Sequence, residues 1–464
     1  MKRGFGNMTE RIEEDTIGKL GIDNKAYYGI NAKRAMDNFK INVKKTDMEL
    51  IIQVATIKKA AARANYKVGR ISKEKMIAIV AASDEVIAGK LDDQFLIPEI
   101  QGGAGTSTNM NVNEVITNRA LELMGHKKGE YTYLDSHDDV NAGQSTNDVY
   151  PSAGKLTTLI KIDKLYHSLS ALIDKLEEKG DEFADVKKMG RTQLQEAVPT
   201  TLGATFKAFA SALSRSQKRL TRSMNILTEL NLGGTAIGTG VNTSKGYVPA
   251  VYAELKKIYR LNIHPAEDLI DATQDLDPYV EVSGDLKALA VALSKMCHDL
   301  RLLSSGPRSG FMEIKLPAMQ AGSSIMPGKI NPVIPEIVSQ IAFEVIGNDT
   351  TITFAAESGE LELNAFEPVI FHNLFESTDL MDQACALLVD KCIPGIKANK
   401  AKCATDVKNS AGTITKLTPI IGYNTATAIV NESLKTGVNV YDLLAQKGTF
   451  DAKKLQAVKM SIAN

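Results

Sequence analysis

The apolar residues between positions 147 and 182 return every three or four places: Leu156, Leu159, Ile160, Leu165, Leu169, Leu172, Ile173 and Leu176. That spacing lines one face of an α-helix and does not fit a strand. Stretches 200–230, 278–303, 332–354 and 368–393 carry comparable patterns. Helices of roughly twenty to thirty residues exceed the usual three turns or so and predict a bundle. Strand signals are scarce, so the expected fold class is mainly α, with a multi-helix core of long helices.

A chain of 464 residues is too long for one ordinary core. Cuts near 142 and 396 give an N-terminal domain (1–142), a central long-helix domain (143–396) and a small C-terminal helical domain (397–464). In the first, residues 1–46 show no clear period, and helices are expected from Asp47, over 73–91 and from Asn111 to Leu123. In the last, after Pro394-Gly395, helices shorten to 399–406, 423–435 and 440–447. Long amphipathic helices need partners along their length, which predicts an oligomer.

Lysine plus arginine, 55, equals aspartate plus glutamate, 55. That balance disfavours nucleic acid or an acidic membrane surface as the main partner. The four cysteines (Cys297, Cys385, Cys392, Cys403) form no close pair and read as buried free thiols. The stretch 1–14 is charged and lacks the apolar core of a signal peptide. No apolar run reaches the roughly 18 residues of a transmembrane helix. A soluble cytoplasmic protein is expected. The six histidines show no metal-ligand spacing; His137 reads as a solvated loop residue and His372 as packed within a helix.

Chemistry concentrates where the helical text breaks. Gly322-Ser323-Ser324-Ile325-Met326-Pro327-Gly328-Lys329-Ile330-Asn331-Pro332 puts two hydroxyls, a lysine and an amide between glycines. Asn331 reads as an N-cap and Pro332 as the first helical residue, a combination that suits an anion. Three more polar clusters lie at such breaks: Gly103–Asn109, Gln144–Asp148 and Gly190–Gln195. Capping alone accounts for any one of them. Together they suit the wall of a pocket for a small dicarboxylate, which needs many short donors and few opposing carboxylates. Gly233 to Gly240 lacks the Gly-Lys-Ser/Thr ending of a phosphate loop and reads as a tight turn where glycines let backbones approach.

In this order the segments GAGTSTNMN, QSTND, GRTQLQEAVP, GGTAIGTG and GSSIMPGKINP resemble those of the aspartase/fumarase superfamily, from about Arg11 to Gly448. The runs 331–336 and 345–351 resemble its aspartate ammonia-lyase branch rather than its fumarases. The resemblance implies a homotetramer with a central bundle, active sites each shared by three subunits, and no required organic cofactor. It leaves Mg2+ activation open and implies no metal ligand. It implies that Ser323 is the general base. Thr106, Ser145, Thr146 and Ser324 would hold the carboxylate beside the reacting carbon. Lys329 and Asn331 would hold the other carboxylate. Asn147, Thr192 and Gln193 would surround the amino group, with Glu336 in support.

Two departures matter. Many relatives carry histidine at Gln193, opposite a glutamate matching Glu336. Glutamine supplies no catalytic proton; hydroxide needs an acid to leave, whereas an alkylammonium leaves as neutral ammonia. The glutamine therefore weakens the fumarate hydratase alternative more than the ammonia-lyase reading. In Asp135-Ser136-His137-Asp138 only the last residue matches the His-Pro-Asn-Asp run of a second anion site in fumarases. A catalytically silent scaffold is the other alternative, and it has no use for the lysine and paired serines of the 322–332 loop.

Overall fold

The computed structural model describes residues 10–448. Residues 1–9 and 449–464, which take in most of the charged N-terminal stretch and the end of the expected C-terminal domain, lie outside the described residues.

A hairpin opens the described chain: β1 (Glu10–Glu14) pairs antiparallel with β2 (Lys19–Asp23), and α1 (Ile30–Asn38) follows. None of the three has a periodic sequence signal, because polar contacts distant in sequence hold them. Arg11 donates to the carbonyls of Ala26 and Tyr28, and the buried Glu114 carboxylate accepts the N–H groups of Gly29, Asn31 and Ala32 around the α1 N-terminus.

The next helices are α2 (Met48–Lys67), α3 (Lys73–Ile87) and α4 (Thr106–Leu123). Asp47 caps α2 by accepting from Glu49 N–H at 2.8 Å, and Ser72 caps α3 through Lys75 N–H at 3.2 Å. α4 starts five residues before the expected Asn111. Its polar first turns stay helical because Thr108, Asn109, Asn111 and Asn113 are all buried in side-chain hydrogen bonds.

Then come α5 (Thr146–Glu182), β3 (Lys187–Thr192), β4 (Gln195–Thr201), α6 (Leu202–Ile226), β5 (Glu229–Leu230), α7 (Tyr247–Tyr259), β6 (His264–Pro265), the short α8 (Asp271–Gln274) and α9 (Asp277–Leu303). β7 (Ile314–Lys315), α10 (Val333–Glu357), α11 (Glu367–Lys391), β8 (Lys397–Ala398), α12 (Lys400–Asn409), α13 (Thr418–Ile421), α14 (Tyr423–Thr436) and α15 (Val440–Gln446) complete the order. The long helices α5, α6, α9, α10 and α11 fall where the three-and-four spacing puts them. The strands make four two-stranded pairs: β1–β2, β3–β4, β5–β6 and β7–β8.

Two compact units divide the chain, each from three segments. One holds the chain to Leu165, Lys218–Ala288 and Glu344–Met381; the other holds Tyr166–Gln217, Leu289–Phe343 and Asp382 onward. In the first, α2 packs on α3, α4 and α7. Its aromatic core stacks Phe371 on Phe375 and sets Tyr150 and Tyr279 against Phe371, both at 5.2 Å between centroids. Gly154 is required there, since a Cβ would lie 2.0 Å from the Phe371 ring. In the second, the β3–β4 hairpin packs on α12, and Met189, Ile414, Leu417, Ile429, Val440 and Leu444 form one apolar cluster.

All four cysteines are buried free thiols, and burial pushes each thiol up. His372 of α11 is ion-paired with Glu99. That hydrogen bond, partly opposed by burial, raises the imidazole above its ordinary 6.5. A raised folded-state pKa stabilises the fold below the unfolded value and stops doing so as pH climbs through the folded one. The melting-temperature deficit of His372→Gln relative to wild type is therefore expected to be largest below the ordinary imidazole value of 6.5 and to shrink as pH rises above it, as read by thermal denaturation over a pH series.

Candidate active site

Asp148, in the first turn of α5, is fully buried. Its Oδ1 accepts from Ser145 N–H at 2.9 Å, and its Oδ2 from Gly233 N–H at 2.9 Å and Thr235 N–H at 3.1 Å. Burial pushes this carboxyl up, and the three N–H donors pull it back. One carboxylate thus clamps the Gln144–Asp148 cluster to the Gly233–Gly240 turn. Farther along the same loop, Gly238, at φ 87°, is required because backbone of Leu269 and Ile270 lies 2.4 Å from where a Cβ would sit.

The clamp sets the next residues. Ser145 Oγ accepts from Asn147 N–H at 3.2 Å, and Thr146 Oγ1 accepts from Asn109 Nδ2 at 3.0 Å. A hydroxyl whose oxygen already accepts keeps its own hydrogen for another partner. Asn147 donates through Nδ2 to Ala236 O at 2.8 Å, leaving Oδ1 as an acceptor suited to an ammonium. Thr106 is exposed at the first position of α4. Gly105 precedes it at φ 83°, pressed on the Tyr150 ring, which a Cβ would meet at 2.5 Å. The first unit therefore gathers Thr106, Ser145, Thr146 and Asn147.

Beneath them lies Lys58, of α2, 0% exposed. Its Nζ donates to Asn141 Oδ1 at 2.8 Å. Burial pushes the ammonium down to about 7, and Asp148 opposes that. Nothing in the alanine-rich text around Lys58 marks it for this place.

The second unit holds the remaining residues. Thr192 and Gln193 lie exposed at the tip of the β3–β4 hairpin. Its two-residue turn places Gln193 at φ 53° and Leu194 at φ 63°. A left-handed turn of this kind favours Asn-Gly, so the bulkier pair stores strain at the tip. The hairpin's base is fixed by Glu313, wholly buried between Arg191, at 2.5 Å from Oε1, and Lys188, an ion pair at 3.0 Å from Oε2.

The loop 322–332 closes on itself. Gly322 N–H donates to Lys329 O at 2.7 Å, and Asn331 Nδ2 donates to Gly322 O at 2.9 Å. Asn331 pins the loop and is not the expected N-cap; α10 starts at Val333, two residues later. Gly322 serves close approach, since a Cβ would meet Lys329 O at 2.7 Å, while Gly328 takes φ 74°. Inside the turn, Ser323 Oγ accepts from the N–H groups of Ile325, at 3.2 Å, and Met326, at 3.0 Å. Ser324 and Lys329 are exposed, and Ile325 is 84% exposed.

Lys329, Asn331 and Glu336 line a cavity of about 960 Å³ together with His298, Arg301 and Lys315. Three cationic side chains against one carboxylate suit an acidic ligand. The partner of Glu336 within this unit is Arg301, at 4.0 Å. Sequence reasoning missed Arg301, Lys315 and Glu313, which stand outside the polar clusters. No hydrogen bond joins the hairpin tip to the 322–332 loop among the described residues.

Residues 18–347 match the family model described as "Lyase". Aspartate ammonia-lyase of Pseudomonas canavaninivorans is 50% identical over 97% of this chain and 95% of its own length. That of Escherichia coli K12 is 49% identical over 97% and 94%. Among solved structures, the fumarate lyase:delta crystallin of Brucella melitensis bound to cobalt superposes with a TM-score of 0.95 at 46% identity, covering 98% of this chain and 99% of that one. Class II fumarase from Schistosoma mansoni gives 0.93 at 34% identity, covering 97% and 98%.

Removing the Glu313 carboxylate leaves the buried Lys188 and the partly buried Arg191 without the anion they share. Glu313→Gln is expected to cost about 3–5 kcal/mol of stability, measured by urea denaturation.

Proposed function

The chain belongs to the lyase family of the aspartase/fumarase superfamily, and on that premise we propose that it converts L-aspartate reversibly to fumarate and ammonia. The observation that carries the mechanism is the Ser323 hydroxyl, whose oxygen accepts two backbone N–H groups of its own turn.

A C–H beside a carboxylate is a very weak acid, because its removal loads a second charge onto that carboxylate. A serine alkoxide can take the proton only where its own charge is stabilised. Two N–H donors aimed at Oγ do this, and the cation of Lys329 in the same loop adds to it. The resulting aci-carboxylate needs donors already pointed at its oxygens. Ser145 and Thr146 keep their hydroxyl hydrogens free for that, with Thr106 and Ser324 beside them in this reading. Lys329 and Asn331 hold the second carboxylate in the cationic cavity. The substrate ammonium donates to Asn147 Oδ1, near Thr192 and Gln193. Collapse of the aci-carboxylate expels neutral ammonia with its proton in place, so Gln193 suffices where an acid would otherwise stand.

The residues fall into three groups: 106 with 145–147, 192–193, and 323–336. This supports a site assembled from three copies of the chain in a homotetramer. So does the apolar exposure of α10, where Phe343 is 56% and Phe354 65% exposed. Each elementary step uses side chains and backbone alone. Among the described residues no helix is long and apolar enough to cross a membrane.

Fumarate, followed by its ultraviolet absorbance, is expected to accumulate from L-aspartate and not from L-malate, with or without Mg2+. Signal from malate would instead establish hydratase chemistry. Ser323→Ala is expected to lower kcat by about 10²–10⁴-fold while leaving the oligomer, measured by light scattering, intact.

A further inference from the structure

Lys58 takes no part in the chemistry above, yet it is fully buried and bonded to the residues that prepare Thr146. In its charged form, which the Asp148 carboxylate favours, lysine has donors and no acceptor. Its bond to Asn141 therefore forces that amide to present Oδ1, while Asn141 Nδ2 goes to Gln144 O at 3.1 Å. The same Oδ1 also receives Asn113 Nδ2 at 3.2 Å and Asn109 Nδ2 at 3.5 Å. Both asparagines must then turn their nitrogens toward it. The Oδ1 atoms of Asn109 and Asn113 are buried without a hydrogen-bond partner, as that orientation demands. With its nitrogen turned this way, Asn109 donates to Thr146 Oγ1 at 3.0 Å.

We propose that Lys58 is a positioning residue: through Asn141 and Asn109 it fixes the direction of the hydrogen bond into Thr146, so that the threonine hydroxyl donates outward to the substrate carboxylate that becomes doubly charged. Without a donor-only group at position 58, Asn141 keeps only its bond to Gln144 O as a restraint on its orientation, and Asn141 and Asn109 can flip. The Thr146 hydroxyl then donates inward to Asn109 Oδ1, and its hydrogen is lost to the substrate. This inference rests on the aspartate-lyase reading of the site.

The test is a double-mutant cycle with L-aspartate as substrate. Thr146→Val is expected to lower kcat/KM by about 10²-fold, as loss of one oxyanion donor does. Lys58→Met is expected to lower it by about 10-fold or more, chiefly in kcat. Lys58→Gln, which keeps a donor toward Asn141 but can also accept, should recover only part of that loss. The combined Lys58→Met/Thr146→Val variant should fall within about threefold of Thr146→Val alone, because both act on one hydrogen bond.

Multiplicative losses in the combined variant, or a Lys58→Met enzyme as fast as wild type, overturn the proposal while leaving the lyase reading in place. Wild-type protein without activity on aspartate overturns both. If Lys58→Met does not fold, Asn141→Leu paired with Thr146→Val makes the same cycle with Lys58 retained, and the same two outcomes decide it.

Discussion

One buried carboxylate organises the first unit's share of the site. Asp148 holds the N–H groups of Ser145, Gly233 and Thr235 at once, so the start of α5 and the glycine loop cannot separate without exposing an unpaired charge to an apolar interior. A buried carboxylate persists only where donors such as these three N–H groups meet its charge. With the clamp closed, Ser145, Thr146 and Asn147 acquire fixed hydrogen-bond directions before any ligand arrives. Preorganisation of this kind lets uncharged hydroxyls stabilise a dianion, because no donor has to reorient as charge develops.

The second unit reaches order by another route. Glu313 pairs with both Arg191 and Lys188 under the hairpin, and the 322–332 loop is tied at its neck by Gly322, Lys329 and Asn331. The neck is polar and local, and the loop's crest is exposed, Ile325 most of all. Ser323, the proposed base, thus rides on a small self-closed turn whose N–H groups point at its hydroxyl oxygen. The strain of Gln193 and Leu194 at the hairpin tip has a like origin: the tight turn presents Gln193 and holds Leu194 where an easier sequence would put glycine.

Much of this was legible without coordinates. The five long helices follow from three-and-four spacing over stretches too long for chance, and the polar clusters at their breaks already contained Ser145, Thr146, Ser323, Lys329 and Asn331. The N-terminal hairpin and α1 were not legible, since Arg11 and Glu114 hold them by contacts with backbone far away in sequence. The early start of α4 was missed for a related reason. Threonines and asparagines mark caps when exposed, but here burial and mutual hydrogen bonding keep them helical. Asn331 carried a cap signal and instead pins a loop, which no local rule distinguishes.

The sequence by itself determined the helical class, the family and the residue types available for chemistry, because periodicity and motif order are local properties of the chain. Only the tertiary structure decided which polar atoms face which. Lys58 sits in alanine-rich helical text with nothing to separate it from Lys59, yet the fold buries it beneath Asn141 and leaves Lys59 on a surface ion pair with Asp84. Hydrogen-bond direction is a property of neighbours brought together from distant segments, and for that reason it is settled by packing.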